Sequence, residues 1–441
     1  MNNTKYETRP VESWAKMKEL RRMHFKHTWQ AADHGEPIVM GMTEALLGYL
    51  AGLGNFADPS YGPYYTKLMR NPQELIKVLE ATEAQGITRD VCSSMRCYLG
   101  QLYTGMSNTA PNGSKIKPTF LFQVTNCHTM AQTGNVFSEY LDIPYLSIDL
   151  PYDDTPLARD YVYQQMVEGI PWIEKVTGRP YDDEKLIEAV KYEWETMVLW
   201  AKIVASTRAI PTPLDLRHLW SLRMPMLTMR HKKEGVEYCH MLYDETQWRI
   251  KNNISARGME RMRFLHEGFP PYHYIAILKQ PNEYGAIFVI MENSQGHGAW
   301  DRYADGSWEP TKTLKELGRE IRTREDALRA EVELYVTYMM SSTWYPKYRA
   351  TEAVKRAKDW HCDAAVLGLD RGCHGYQVSI METKRELQKA GFPVGSYEHS
   401  QSDPREFSLT QTLDRLESFM ESLGLARIDE VAGEKAEEAI D

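Results

Sequence analysis

A chain of 441 residues, 42% hydrophobic and 26% charged, has the composition of an ordinary globular protein and the length for two or three cores. Its net charge of −9 argues against a general affinity for nucleic acid, because phosphate binding is driven by clustered Lys and Arg. No apolar run reaches the roughly 18 to 20 residues of a membrane span, and the polar start Met1 to Glu7 has no apolar signal core, so a cytoplasmic protein is expected.

In chain order, Glu12 to Gly35 reads as an amphipathic helix carrying Trp14, Met17, Leu20 and Met23. Pro37 to Gly41 reads as a short strand, Met42 to Leu53 as a helix closed by Gly52 and Gly54, and Asn71 to Gln85 as another helix. Asp90-Val91-Cys92 opens the next one. Asn112-Gly113 signals a turn into Pro118 to Thr125, a run dense in apolar, aromatic and β-branched residues that reads as a buried parallel strand. A helix begins at Cys127, followed by a second buried strand over Ile143 to Asp149. Pro156 to about Arg208 is helical, with a break near Gly178-Arg-Pro180. After Ile210 to Pro213 the helical pattern resumes to Lys251.

Met262 to His266 starts a second α/β stretch, with Glu267 to Pro271 as its exit loop. Gly285 to Glu292 is the next strand and Asn293 to Gly298 a loop. Glu325 to Met340 is a helix with Leu328, Val332, Tyr335 and Met339 on one face. A helix over Ala350 to Trp360 leads into the strand Asp363 to Asp370, the loop Arg371 to Gly375, and the helix Tyr376 to Ala390. Phe392 to Glu398 closes the strands, Ser408 to Leu423 is the last helix, and Glu430 to Asp441 is a charged tail expected to be disordered. The alternation predicts an α/β protein with parallel sheets, divided as a helical segment 1–35, a first α/β domain 36–209, a helical connector 210–260, a second α/β domain 261–427 and a tail 428–441.

There is no P-loop, no dinucleotide fingerprint, no nucleophile elbow and no His-Glu-x-x-His helix, so the chain is not expected to hydrolyse ATP itself. Six cysteines without an export signal are expected to be thiols or metal ligands rather than disulfides. Cys92, Cys127 and Cys373 each stand at a helix start, two of them after strands, where unpaired N–H groups favour a thiolate or an anionic cluster. Each alone reads more readily as a small buried hydrophobe than as a ligand, but three at strand ends and helix starts could converge on one cleft. Cys97, one turn past Cys92, is expected to pack; Cys239 and Cys362 are expected to be structural. His128 and His374 could donate protons near such a site or simply be polar helix starts. The basic knot Arg230-His231-Lys232-Lys233 reads as a solvated helix end rather than a site.

Several ordered segments, Asp90-Val-Cys92 with Gly100, Asn112-Gly113, Thr125-Asn-Cys127, Ile148 to Tyr152, Gly268-Phe-Pro-Pro271 and Cys373 with Tyr397-Glu398 and Asp403-Pro-Arg405, resemble the 2-hydroxyacyl-CoA dehydratase and benzoyl-CoA reductase superfamily. Within it the chain looks most like the larger cluster-bearing subunit of ATP-dependent benzoyl-CoA reductases. The resemblance implies two Rossmann-like (flavodoxin-like) domains with an iron-sulfur site in the cleft between them. It implies a 4Fe-4S cluster held by Cys92, Cys127 and Cys373, with one iron free of protein ligands. It further implies a related cluster-bearing partner subunit, an ATP-hydrolysing activator fed by ferredoxin, and an aromatic acyl-CoA substrate. A dehydratase subunit is the alternative, a non-catalytic cluster-bearing scaffold a second, and a zinc protein a third. Where many members carry Glu-Thr-Asp after the last strand, this chain has Glu398-His399-Ser400.

Overall fold

The computed structural model describes residues 4–41, 46–59, 63–106, 116–125, 127–303, 306–336 and 346–428, with the side chains of 63, 64, 66, 346 and 347 left aside. Asn112-Gly113, Met339 and the tail from 430 lie outside these residues. The chain is α/β, with helices packed around two parallel sheets.

The first sheet contains β1 (Val39–Met40), β2 (Phe120–Thr125) and β3 (Tyr145–Asp149) in that spatial order, and both pairings are parallel. β2 is the continuous apolar run expected of a strand covered on both faces. β3 departs from the expected buried strand. It lies at the sheet edge, and of its residues only Ile148 is fully buried.

The second sheet contains β4 (Met262–Glu267), β5 (Ala286–Met291), β6 (Ala364–Asp370) and β7 (Val394–His399) in the order β7-β6-β4-β5, again wholly parallel. From β4 the chain proceeds outward to β5, and from β6 outward in the opposite direction to β7. The order therefore reverses between β4 and β6, and the loops leaving their carboxyl ends open onto the crevice where α/β sheets bind ligands.

Local chemistry fixes the long helices. Thr155 caps Pro156–Thr177 by accepting from the Ala158 N–H, with proline at the first turn, and Gly178 ends it at φ +66°. Asp182 then caps Asp183–Ser206, accepting from the Glu184 and Lys185 amides, so the expected break falls between these two helices. Trp194 of the second helix, Phe120 and Phe122 of β2, and Leu328, Val332 and Tyr335 of the helix Arg324–Tyr335 share one core. That helix follows β5 in sequence yet packs with the first sheet. A second core, with Trp200, Leu265, Ile287 and Trp360, covers one face of the second sheet, and Phe264, Phe288 and Tyr397 cover the other.

Several expectations are corrected. In the helix Ser13–Gln30 the buried stripe is Met17, Leu20, His24 and Thr28, which leaves Met23 outside it. Residues 293–298 are not simply loop: Glu292–Gly296 forms a helical turn, and Trp300–Arg302 pairs antiparallel with Trp308–Pro310. Only Lys233, exposed at the first position of the helix Lys233–Lys251, fits the reading of the basic knot as a solvated helix end. Arg230 and His231 are buried, because the Arg230 guanidinium meets Glu193 at 2.5 Å and the His231 ring stacks on Phe56. Among the described residues no helix is long and apolar enough to cross a membrane.

Asp215 caps the short helix Leu216–Leu222, accepting from the His218 amide, while its other oxygen receives Arg257 Nε at 2.8 Å. Burial pushes this carboxyl up, but Arg257 and then His218 outweigh it and hold the group well below the usual carboxylate range. Asp215→Ala leaves Arg257 buried and uncompensated, so it should lower the free energy of urea unfolding by about 3–5 kcal/mol at pH 7. Because the folded value is depressed, the contribution is complete above the unfolded carboxyl's value of about 3.9 and is lost as pH falls below it. The gap between wild type and variant should therefore narrow below about pH 4; a gap constant down to pH 3 would contradict this account.

Candidate active site

The three cysteines singled out in the sequence lie on the wall of one cavity of about 620 Å3. Each occupies the N-cap position of a helix: Cys92 of Ser93–Tyr103, Cys127 of His128–Leu141 and Cys373 of His374–Gln377. The backbone amides of Ser94 and Met95 favour the Cys92 thiolate, those of Thr129 and Met130 the Cys127 thiolate and that of Tyr376 the Cys373 thiolate, although none of the three side chains makes a capping hydrogen bond. All six cysteines are free thiols. Cys97 is fully buried against Leu75, Val78 and Leu79 and is not on the cavity wall; Cys239 and Cys362 lie in the second core.

Burial pushes the Cys92 thiol up to about 12, with Asp370 and Cys127 adding to the effect. Cys373 is driven well above its ordinary range by burial, then Asp370, Cys92 and Cys127, and Cys127 is raised by burial. Among the described residues no group of three or more His, Cys, Asp or Glu side chains could hold a single metal ion. The thiols border a common space instead of converging on one atom, which gives a single-ion zinc site no support.

A polar seam holds the Cys92 and Cys373 loops together. Ser94 Oγ donates to Gln401 Oε1 at 2.7 Å, the Gln401 amide donates to Asp370 Oδ1 at 3.1 Å, and the Ser402 amide donates to Ser93 Oγ at 3.0 Å. Beneath it, buried Arg96 bridges Glu83 and Asp403 at 3.1 Å each, while its Nε donates to the Val91 carbonyl at 2.9 Å. Gly372, at φ +84°, brings the Cys373 loop past the Asp90 and Val91 carbonyls, where an added Cβ would come within 3.4 Å. Asp370, at the end of β6, is a site residue that the sequence reading passed over as strand. Burial holds its carboxyl well above the usual range.

His128 and His374 face each other with ring centroids 5.6 Å apart, both on the cavity wall. Aromatic groups supply much of the remainder. Phe269, from the loop after β4, lies 4.1 Å from the Tyr376 ring, and Tyr65 and Tyr98 stack at 4.9 Å with planes 7° apart. Gly268, at φ +84°, sets the first of these, since a Cβ there would approach the Gly368 carbonyl to 2.5 Å. Glu398 is off the wall: it is exposed and paired with Arg371 at 2.5 Å. The charged groups on the wall are Lys18, Arg21, Arg70, Arg217, Arg223 and Arg230, and among the described residues no Asp or Glu joins them.

Residues 70–423 match the family described as 2-hydroxyglutaryl-CoA dehydratase, D-component. The chain belongs to this family. The (R)-phenyllactyl-CoA dehydratase alpha subunit of Clostridium sporogenes is 26% identical over 350 residues, covering 78% of this chain and 79% of the relative. The (R)-2-hydroxyisocaproyl-CoA dehydratase alpha subunit of Clostridioides difficile is 25% identical, with 78% and 80% covered. A benzoyl-CoA reductase subunit of Thauera aromatica is 25% identical, with 79% and 80% covered. The superfamily expected from the ordered motifs is therefore the one found.

The match to the dehydratase D-component family takes in all three cavity cysteines and the helix that Cys92 caps. That helix meets Pro72–Glu83 at Gly100, where an added Cβ would overlap the Val78 carbonyl. Gly100→Ala should cost about 1–3 kcal/mol in urea unfolding through overpacking. Wild-type stability in this variant would show that the two helices can move apart freely.

Proposed function

We propose that this chain is a catalytic subunit in which Cys92, Cys127 and Cys373 hold a 4Fe-4S cluster beside a cavity that takes an aromatic acyl-CoA thioester. The reaction favoured is dearomatising reduction of the ring to a cyclic dienoyl-CoA, as in benzoyl-CoA reductase. The observation that carries this reading is the meeting of three cysteines from distant segments on one aromatic, cation-rich cavity. Family membership and similarity to the benzoyl-CoA reductase chain of Thauera aromatica support it.

The donor set fits such a group. It offers three free thiols, each at a helix start, in a buried space whose like-charged neighbours disfavour bare thiolates and so favour a cation-bearing centre. Bound there, the cluster would supply single electrons of low potential. The chain's own residues do the rest: the Phe269–Tyr376 and Tyr65–Tyr98 pairs flank a flat acyl group, and His128 and His374 hold protons at the cavity wall. The chain carries no P-loop, so ATP would be spent by an activating subunit fed by ferredoxin, and a related cluster-bearing subunit would complete the pocket. The two sheets would be the cores of Rossmann-like, flavodoxin-like domains 36–209 and 261–427, with the cluster in their cleft and the helix Arg324–Tyr335 crossing to the first. Six free thiols suit a reducing cytoplasm.

The alternative, 2-hydroxyacyl-CoA dehydration, is favoured by the two dehydratase alpha subunits among the relatives. An aromatic wall would serve a phenyllactyl group as well as a benzoyl group.

Anaerobic purification should give about four irons per chain with matching sulfide, and Cys127→Ser should abolish both while the chain remains folded; iron retained in full would refute the ligand assignment. With partner subunits, ATP and a low-potential donor, benzoyl-CoA should consume a pair of electrons and a pair of protons per ring. Loss of water from a 2-hydroxyacyl-CoA without net electron consumption would move the assignment to the dehydratase.

A further inference from the structure

We propose that Lys18, Arg21 and Arg70 form the subsite that receives the phosphates of the substrate's nucleotide handle. The inference rests on the acyl-CoA reading above and assigns residues to it.

Almost every arginine among the described residues has a hydrogen-bonding or ionic partner. Arg21, Arg22 and Arg70 have none, and neither has Lys18. Two of these three arginines, Arg21 and Arg70, line the cavity, and Lys18 lines it beside them. Lys18 and Arg21 are three residues apart in the helix Ser13–Gln30, on the face that also presents Trp14 and Met17 to the cavity, and Arg70 follows the helix Pro63–Met69.

The crowding is not relieved by the protein. Burial, then Arg70 and then Arg22, hold the Arg21 guanidinium below its ordinary range, with no carboxylate acting against them. The chain carries 61 acidic residues against 52 basic ones, so acids were available, yet none of the described ones stands on this wall. Like charges kept together on a wall that is half-buried at Lys18 and Arg21 and exposed at Arg70 gain stabilisation from an anion that arrives from outside. The other cavity arginines are already engaged within the chain: Arg230 with Glu193, Arg223 with Asn293 and the Trp220 ring, and Arg217 with Ser221. The Trp14 indole N–H, on the same helix face, is buried without a hydrogen-bond partner and is a further donor for a phosphate or its neighbouring oxygen. A ligand that combines several phosphates with an apolar thioester arm matches a wall with cations in one part and thiols and aromatic rings in another.

The test is titration calorimetry on the complex with its partner subunits, using coenzyme A, dephospho-coenzyme A and pantetheine as probes. Coenzyme A should bind more tightly than pantetheine, and its affinity should fall as salt is raised. Arg21→Gln and Arg70→Gln should each weaken coenzyme A about tenfold without changing pantetheine, and Arg21→Lys should restore most of the loss. Wild-type coenzyme A affinity in both glutamine variants, or equal losses for pantetheine, would overturn the assignment. If neither benzoyl-CoA nor a 2-hydroxyacyl-CoA turns over while coenzyme A still depends on Arg21 and Arg70, the reaction proposed above fails and the subsite stands. If turnover persists with an unchanged KM in the variants, the reaction stands and the subsite fails.

Discussion

The site depends on one buried guanidinium. Arg96 is sealed from water, and a cation so placed is costly unless it is ionically paired and hydrogen-bonded. Its partners are Glu83 from the preceding helix and Asp403 from the loop after β7, more than three hundred residues along the chain. Satisfying Arg96 therefore obliges the segment 401–405 to lie against the start of the Cys92 helix. Once it does, Gln401 and Ser402 meet Ser94 and Ser93, Gln401 also holds Asp370, and the end of β6 comes to rest beside Cys92. Cys373 is three residues past Asp370. The proximity of two candidate ligands from opposite ends of the chain follows from this electrostatic requirement.

The same logic explains where the carboxylates went. Behind the cavity wall sit two pairs of buried acids, Glu193 with Glu331 and Glu267 with Glu292. Arg230 pairs with Glu193, and Tyr335 donates to the same carboxylate at 3.0 Å; the Gly48 and Tyr49 amides donate to Glu193 and Glu331. Arg356 meets Glu267 at 2.5 Å and Arg349 lies 3.4 Å from Glu292. Burial first, then the neighbouring carboxylate, raises Glu331 well above its usual range. Burial, opposed by Arg349 and reinforced by Glu267, lifts Glu292 to about 8. Burial and a neighbouring carboxylate thus disfavour the charged form of Glu331 and of Glu292, and Arg230, Arg349 and Arg356 compensate the charge of the pairs. Among the described residues no acid reaches the cavity wall, and its ionic side chains are lysine and arginine.

The parts of this arrangement that were legible in the sequence are the local ones. The period and composition of β2, β5 and β6, the helix break near Gly178-Arg-Pro180 and the helix-start cysteines are each written within a dozen residues. What escaped depends on partners far away in sequence. Arg230 and His231 read as a solvated basic knot because nothing nearby reveals Glu193, thirty-seven positions upstream. Asp370 read as the end of a strand because its meaning comes from Gln401 and the two thiols. Lys18, Arg21 and Arg70 are ordinary surface residues until the fold sets them together on a cavity wall that carries no described acid. β3 passed for a buried strand because its composition does not reveal that it lies at an edge.

The two Cys-His units looked equivalent in sequence, and the fold makes them unequal. Cys127 stands at the N-cap of a helix of 14 residues, so the partial positive charge of a full helix terminus lies beside its sulfur. Cys373 stands at the N-cap of a helix of only four residues. It stands instead next to the reversal between β4 and β6, with Asp370, Cys92 and Cys127 all raising its thiol further after burial has done so. The cost of making three thiolates therefore falls most heavily on Cys373, where the backbone contributes least. That is the sulfur whose ionisation depends most on a positive centre in the space between the cysteines, while Cys127 owes more to its own helix. The thiol least supported by the fold is the one placed at the crevice where α/β sheets receive their ligands.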